Sequence, residues 1–211
     1  MKAVVFDVDG TIVNTLSLYI EVYDLTYKRF GFNLTREEII KNFPVKIADQ
    51  CAKIGIPEKV EDFKRIYMTN IYNIFPKAKV FADFNELMLF LKNKQIKTAI
   101  VSFAFREYVD FIIKKLKLEG FFDTTVSFED VKNPKPDSEA IYLVAKRLNV
   151  LPAEILVIGD AESDILMGKA AGSKTCLFYP KENQEIYPEE KIQNIQSDYR
   201  VESLKEIENF F

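Results

Sequence analysis

Apolar residues fall in two rhythms along this chain, short unbroken runs and helix-spaced stripes. The run Ala3-Val4-Val5-Phe6 has no polar alternation, the pattern of a strand buried on both faces. Further strands are expected over residues 97–101, 124–128, 155–159 and 174–178. Helical spacing between them predicts helices over 83–94, 106–116, 137–148 and 163–171, with a closing helix over 201–211. Strands alternating with helices of this length indicate a parallel sheet covered on both faces.

Residues 15–79 break that alternation. Tyr19, Tyr23, Tyr27 and Phe30 recur at helical spacing, and Thr35-Arg36-Glu37-Glu38 has the form of a capping box opening a second helix. A further helix is expected over 58–75, ended by Pro76. This block leaves the chain directly after the first strand, so it reads as an insertion, a cap or lid able to exclude water and select substrate. The expected fold is therefore α/β: a Rossmann-like, doubly wound parallel sheet core (1–14 and 80–211) with an inserted α-helical cap (15–79). The tyrosines of the insertion are read as packing residues.

Composition narrows the chemistry. A chain of 211 residues with 48% hydrophobic content can build a sizeable core, and a net charge of -3 offers no footprint for nucleic acid. No apolar run approaches the length needed to cross a bilayer, and Met1 leads straight into the first strand, so no membrane partner and no signal peptide are expected. Cys51 and Cys176 match no metal spacing and read as buried thiols of a cytoplasmic protein. The absence of histidine excludes Ser-His-Asp and Cys-His nucleophile chemistry and histidine-bound metals. Proton transfer near neutral pH then falls to Asp, Glu, Lys or Tyr.

Four strand ends carry polar groups. Asp7-Val8-Asp9-Gly10-Thr11 places two carboxylates at i and i+2, on one side of the strand end. Two such anions ~4 Å apart repel by about 4 kcal/mol at an effective dielectric near 20, so the arrangement calls for a cation or a shared proton. The strand over 97–101 finishes in Ser102. Prolines flank Lys135 just ahead of a helix, and the strand over 155–159 ends in Asp160 and Asp164. In a parallel sheet these clusters meet at the edge where open α/β sheets bind ligands. Carboxylates with water suit Mg²⁺. A hydroxyl, an ammonium and backbone N–H groups are phosphate donors, and the set points to phosphoryl transfer onto a carboxylate.

Those segments, Asp-x-Asp-Gly-Thr, the strand-end Ser102, Lys135-Pro136 before a helix and Gly159-Asp160-x-x-x-Asp164, resemble the four motifs of the haloacid dehalogenase-like (HAD) superfamily. Residues 159–172 are similar to phosphoglycolate-phosphatase-like members with a helical cap between the first two motifs. The resemblance implies Asp7 as nucleophile and Asp9 as general acid/base. It implies Gly10, Thr11, Ser102, Phe103 and Lys135 as the phosphate-binding set. Mg²⁺ would be held by Asp7, Asp160 and the Asp9 backbone carbonyl, with Asp164 orienting that shell. Lys132, the neighbouring lysine, reads as surface charge. Arg36 and Lys46 are candidate contacts to an anionic substrate, against a competing reading as solvated charge.

The function implied is Mg²⁺-dependent hydrolysis of small phosphorylated metabolites by a monomer or homodimer. A sugar-phosphate mutase of the same superfamily, and a phospho-accepting domain resembling a response-regulator receiver, are the alternatives. Phe103 departs from relatives, which often carry a small or polar residue there. The segment Lys41-Asn42-Phe43-Pro44-Val45 departs too, standing where many have a glycine-bearing specificity loop. Both departures bear on substrate choice.

Overall fold

A computed structural model describes residues 1–43 and 47–211. They form two compact units, one made of Met1–Asn14 with Lys79–Phe211 and the other of Thr15–Ala78. Lys46 lies outside the described residues, as do Pro44 and Val45.

The first strand, β1 (Ala3–Phe6), is buried along its whole length. The helical unit follows, with α1 (Leu16–Arg29), α2 (Arg36–Lys41), α3 (Ile47–Lys53) and α4 (Val60–Ile74). Its interior is aromatic. Tyr23 stacks on Tyr27 at 5.9 Å and meets Tyr67 at 5.1 Å, Tyr27 meets Phe63 edge-on at 5.8 Å, and Tyr19 meets Phe75 at 4.8 Å. Such pairs add about 0.5–1.5 kcal/mol each beyond the area they bury. At the start of α2 the Thr35 hydroxyl accepts from Glu38 N while the Glu38 carboxylate accepts from Thr35 N, the reciprocal pairing expected from the sequence.

The chain then returns to the first unit through α5 (Phe84–Asn93), β2 (Lys97–Val101), α6 (Arg106–Lys115), β3 (Thr124–Val126) and α7 (Glu139–Leu148). It continues through β4 (Ile155–Gly159), α8 (Glu162–Ala170), β5 (Lys174–Phe178), α9 (Lys181–Gln184), α10 (Glu189–Ile192) and β6 (Tyr199–Val201). The six strands pair in parallel in the order β3-β2-β1-β4-β5-β6. This is the doubly wound α/β sheet the sequence indicates. β1 sits in register between β2 and β4, with Phe6 opposite both Ile100 and Ile158. The chain runs outward through β2 and β3, then crosses to β4 on the far side. The carboxyl ends of β1 and β4 therefore flank the topological switch point, where a crevice opens.

One core layer packs alternate residues of the sheet, among them Val5, Ala99 and Val157, under Ile141, Val144 and Leu148 of α7. Phe6 meets Phe84 and Phe122 edge-on at 6.5 and 6.3 Å. Each fully buried side chain of this size contributes about 1.5–3 kcal/mol.

Three expectations are corrected. The tail over 201–211 is not one α-helix: β6 adds an edge strand at Tyr199–Val201, and a 3-10 helix at Leu204–Phe210 closes the chain. A three-residue strand is too short to show a period. The strand expected over 124–128 stops at Val126 because Ser127 turns the chain, its N–H and hydroxyl both donating to Asp130. Helix α7 starts at Glu139 rather than 137, since the Asp137 carboxylate accepts from Glu139 N at 2.8 Å in an Asx turn just ahead of the helix. Among the described residues no helix is long and apolar enough to cross a membrane.

Candidate active site

The end of β1 is fixed by the Asp7 N–H, which donates to Ile158 O of β4 at 3.0 Å. That bond sets the Asp7 side chain at the crevice between the two strands. Lys135 reaches the same place from the loop before α7. Its Nζ donates to Asp7 Oδ1 at 2.7 Å, to Asp164 Oδ1 at 2.7 Å and to Val101 O at 3.3 Å. The Lys135 side chain is only 5% exposed, Asp7 13% and Asp164 1%. Lys132, by contrast, is exposed.

Asp160 follows β4 directly and Asp164 lies in the first turn of α8, where its second oxygen accepts from Ala161 N at 3.2 Å. The Thr11 hydroxyl donates to Asp160 Oδ1 at 3.1 Å. Asp7, Asp160 and Asp164 each offer one carboxylate oxygen, and the three lie within 4.8 Å of one another. Two glycines make room for this convergence. Gly10 has φ of +77°, and a Cβ there would sit 2.4 Å from Asp160 Oδ2; at Gly159 it would sit 2.3 Å from Asp164 Cβ. No side chain fits either position unless the carboxylates move.

Three carboxylates thus face one ammonium in a buried setting. Burial pushes Asp7 up to about 7; Lys135 pulls against the shift, while Asp164 and Asp9 add to it. Asp160 is raised well above the ordinary carboxylate value, first by burial and then by Asp7 and Asp164. At Lys135 burial favours the neutral amine, but Asp164 and Asp7 outweigh it and raise the value, so the side chain stays an ammonium. One ammonium does not balance three buried carboxylates. All the converging donors are hard oxygens, which fits a divalent cation of the Mg²⁺ or Ca²⁺ kind rather than a soft metal.

Asp9 behaves differently. Its side chain is not part of the three-carboxylate group; Oδ1 accepts from the Tyr108 hydroxyl at 2.5 Å. Ser102, buried at the end of β2, uses its oxygen to accept from Ala104 N at 3.1 Å, which leaves its O–H able to donate. Phe103 follows with its ring exposed and edge-on to Phe128 at 5.5 Å. Thr11 is buried, and Gly10 O accepts from Asn183 Nδ2 at 2.8 Å.

Two participants were not anticipated from sequence, Tyr108 and Asn183. Tyr108 lies on the apolar stripe of α6 beside Val109 and Ile112. The only signal there is a hydroxyl-bearing ring where a plain one would pack. Asn183 stands in the polar run Lys181-Glu182-Asn183-Gln184 of α9, where nothing singles it out. It is nonetheless fully buried and ties the loop after β1 to the segment after β5.

Comparison with known proteins finds likenesses in sequence and in fold. The sequence profile of the haloacid dehalogenase-like hydrolase family matches residues 4–178. Phosphorylated carbohydrates phosphatase of Thermotoga maritima is 31% identical over 177 residues, covering 82% of each chain. Pyrophosphatase PpaX of Anoxybacillus flavithermus is 32% identical over 182 residues, covering 83% of this chain and 82% of that one. A HAD family hydrolase from Deinococcus radiodurans, solved with bound phosphate and sodium, superposes with a TM-score of 0.81 at 18% identity, covering 98% of this chain and 93% of that one.

Proposed function

The chain belongs to the haloacid dehalogenase-like hydrolase family, and from that membership we propose that it is a Mg²⁺-dependent phosphatase acting through an aspartyl phosphate on Asp7. The observation that carries the reading is the meeting of Asp7, Asp160, Asp164 and Lys135 at the switch point of the sheet. A buried excess of carboxylates is costly by itself and would be relieved by a divalent cation, which would also offset the charge of an incoming phosphate.

In this reading one Asp7 oxygen attacks phosphorus while Lys135 holds the other. The ester P–O bond breaks, and the departing oxygen takes a proton from Asp9. Asp9 then removes a proton from water, whose oxygen attacks the phosphoryl group and releases Asp7 and inorganic phosphate. Lys135, the Ser102 hydroxyl and the backbone of Gly10, Thr11 and Phe103 are assigned to the phosphoryl oxygens. Asp7, Asp160 and the Asp9 carbonyl would hold Mg²⁺, with Asp164 keeping Lys135 and that shell in place. When bound, the metal offsets the repulsion between the nucleophile and the phosphate.

Small phosphate monoesters are the proposed substrates. Phosphorylated sugars come first in any panel, given the carbohydrate phosphatase among the relatives. Pyrophosphate is the competing candidate from the same comparison. A cytoplasmic setting goes with the reading, since Cys51 and Cys176 are buried free thiols of the kind a reducing compartment maintains. The direct test is release of p-nitrophenol from p-nitrophenyl phosphate with Mg²⁺. The proposal expects turnover that EDTA abolishes and excess Mg²⁺ restores. Undiminished activity in EDTA would remove the metal from the account.

A further inference from the structure

We propose that Asn183 is a positioning residue for the cation site, a buried amide that locks the peptide plane between Gly10 and Thr11. The inference rests on the assignment of a divalent cation to Asp7, Asp160 and the Asp9 carbonyl made above. It concerns what holds those oxygens in place before the cation arrives.

Three observations lead to it. Asn183 is fully buried, and its Nδ2 donates to Gly10 O at 2.8 Å from 173 positions away. A carbonyl only accepts, so the nitrogen of the amide must face it. The second observation is the other end of the same amide. Asn183 Oδ1 is buried with no hydrogen-bond partner among the described residues, a cost that packing alone would avoid by placing a leucine there. The third is that the anchor is itself held. Asn183 N–H donates to Pro180 O at 2.9 Å, and its carbonyl accepts from Ile186 N at 3.0 Å and Tyr187 N at 2.8 Å.

What the bond controls follows from Gly10. With φ of +77° and no Cβ, this residue gives its two peptide planes more freedom than any other residue type would. The plane before it is set by Gly10 N–H, which donates to Val13 O at 2.8 Å. In the plane after it, Thr11 N reaches Val8 O at 3.3 Å, beyond the usual range for an N–H···O bond. The 2.8 Å bond from Asn183 is therefore the stronger hold on that plane. The same plane leads into Thr11, whose hydroxyl donates to Asp160 Oδ1 at 3.1 Å. In the sheet, β4 lies between β1 and β5, so a tether from the segment after β5 to the loop after β1 spans the strand that delivers Asp160. Turning the plane would carry the Thr11 hydroxyl off Asp160 and loosen the loop that presents the Asp9 carbonyl. Mg²⁺ accepts little departure from octahedral geometry, so the loss falls on metal affinity.

The test is Asn183→Leu, which keeps the approximate shape and removes the donor, with Asn183→Ala as a second variant that demands less space. Each is titrated with MgCl₂ by calorimetry after metal is stripped, and assayed on p-nitrophenyl phosphate across Mg²⁺ concentrations. The expected result is a Kd for Mg²⁺ raised about 10–100-fold, the usual effect of losing a group that orients metal ligands. Saturating Mg²⁺ should then bring kcat back to within a few-fold of the parent. Thr35→Ala, which weakens a helix in the other unit, should leave the Kd unchanged. An unchanged Kd in the Asn183 variants would overturn the positioning role. So would a fall in kcat that excess Mg²⁺ does not lift, or loss of folding in both variants, since either makes Asn183 a general structural residue. Asp160→Asn is titrated beside them. A parent that takes up no Mg²⁺, or an Asp160→Asn that binds it as the parent does, would bring down the metal assignment and this inference with it, an outcome distinct from failure of the Asn183 variants alone.

Discussion

At the scale of single residues, two lysines that look alike in sequence stand in opposite settings. Lys135 is buried against Asp7 and Asp164, whereas Lys132 is exposed. Lys135→Ala is expected to cut kcat by at least about a hundredfold, since it removes a preorganised cation and leaves a carboxylate unpaired. Lys132→Ala is expected to stay near the parent, and steady-state kinetics on both variants checks the contrast. Asp9→Asn should lower turnover by about 10²–10⁴-fold, the usual worth of a positioned acid or base. The candidate residues Asp7, Asp9, Ser102, Lys135, Asp160 and Asp164 could be found in sequence because each stands within a few residues of the end of a buried strand or against a rigid proline. Tyr108 and Asn183 could not. Their roles depend on neighbours 99 and 173 positions away, and neither breaks the local pattern around it.

At the scale of elements, what fixes the site is the close approach of loops, and glycine permits it. Gly159→Ala would drive a methyl group to 2.3 Å from Asp164 Cβ. The expected cost is about 1–3 kcal/mol of stability by urea unfolding, together with loss of activity as the start of α8 is pushed from β4. Thr35→Ala removes the capping box of α2, in the helical unit, and should cost about 1 kcal/mol without changing kcat. The strands β2, β4 and β5 run over the residues expected from sequence because each carries a run of at least three consecutive apolar residues, legible without tertiary context. Three short elements left no pattern to read. These are β6 at the sheet edge and the four-residue helices α9 and α10, held by their neighbours more than by local preference.

At the scale of the molecule, a parallel sheet gathers carboxylates from two sides of its switch point, and that sets how stability and metal affinity respond to pH. Asp7 is raised from 3.8 to about 7, and Asp160 moves the same way. In the metal-free protein the folded state therefore keeps protons that the unfolded chain has already lost. These groups favour folding most below 3.8, and that contribution drains away as pH rises toward about 7. Mg²⁺ must displace the same protons, so its effect runs in the opposite direction. The Mg²⁺-induced rise in melting temperature should be larger above pH ~8 than below pH ~5, and Asp160→Asn should abolish it. A pH-independent rise would detach the metal from these carboxylates. The central claim is that Asp7 carries the phosphoryl group during turnover. It is tested most directly by acid-quenching the enzyme with ³²P-labelled substrate and mapping the label by peptide mass spectrometry. The account predicts a hydroxylamine-labile label on the peptide containing Asp7, more abundant in Asp9→Asn and missing in Asp7→Asn. Label retained in Asp7→Asn, or located on any other residue, would contradict it.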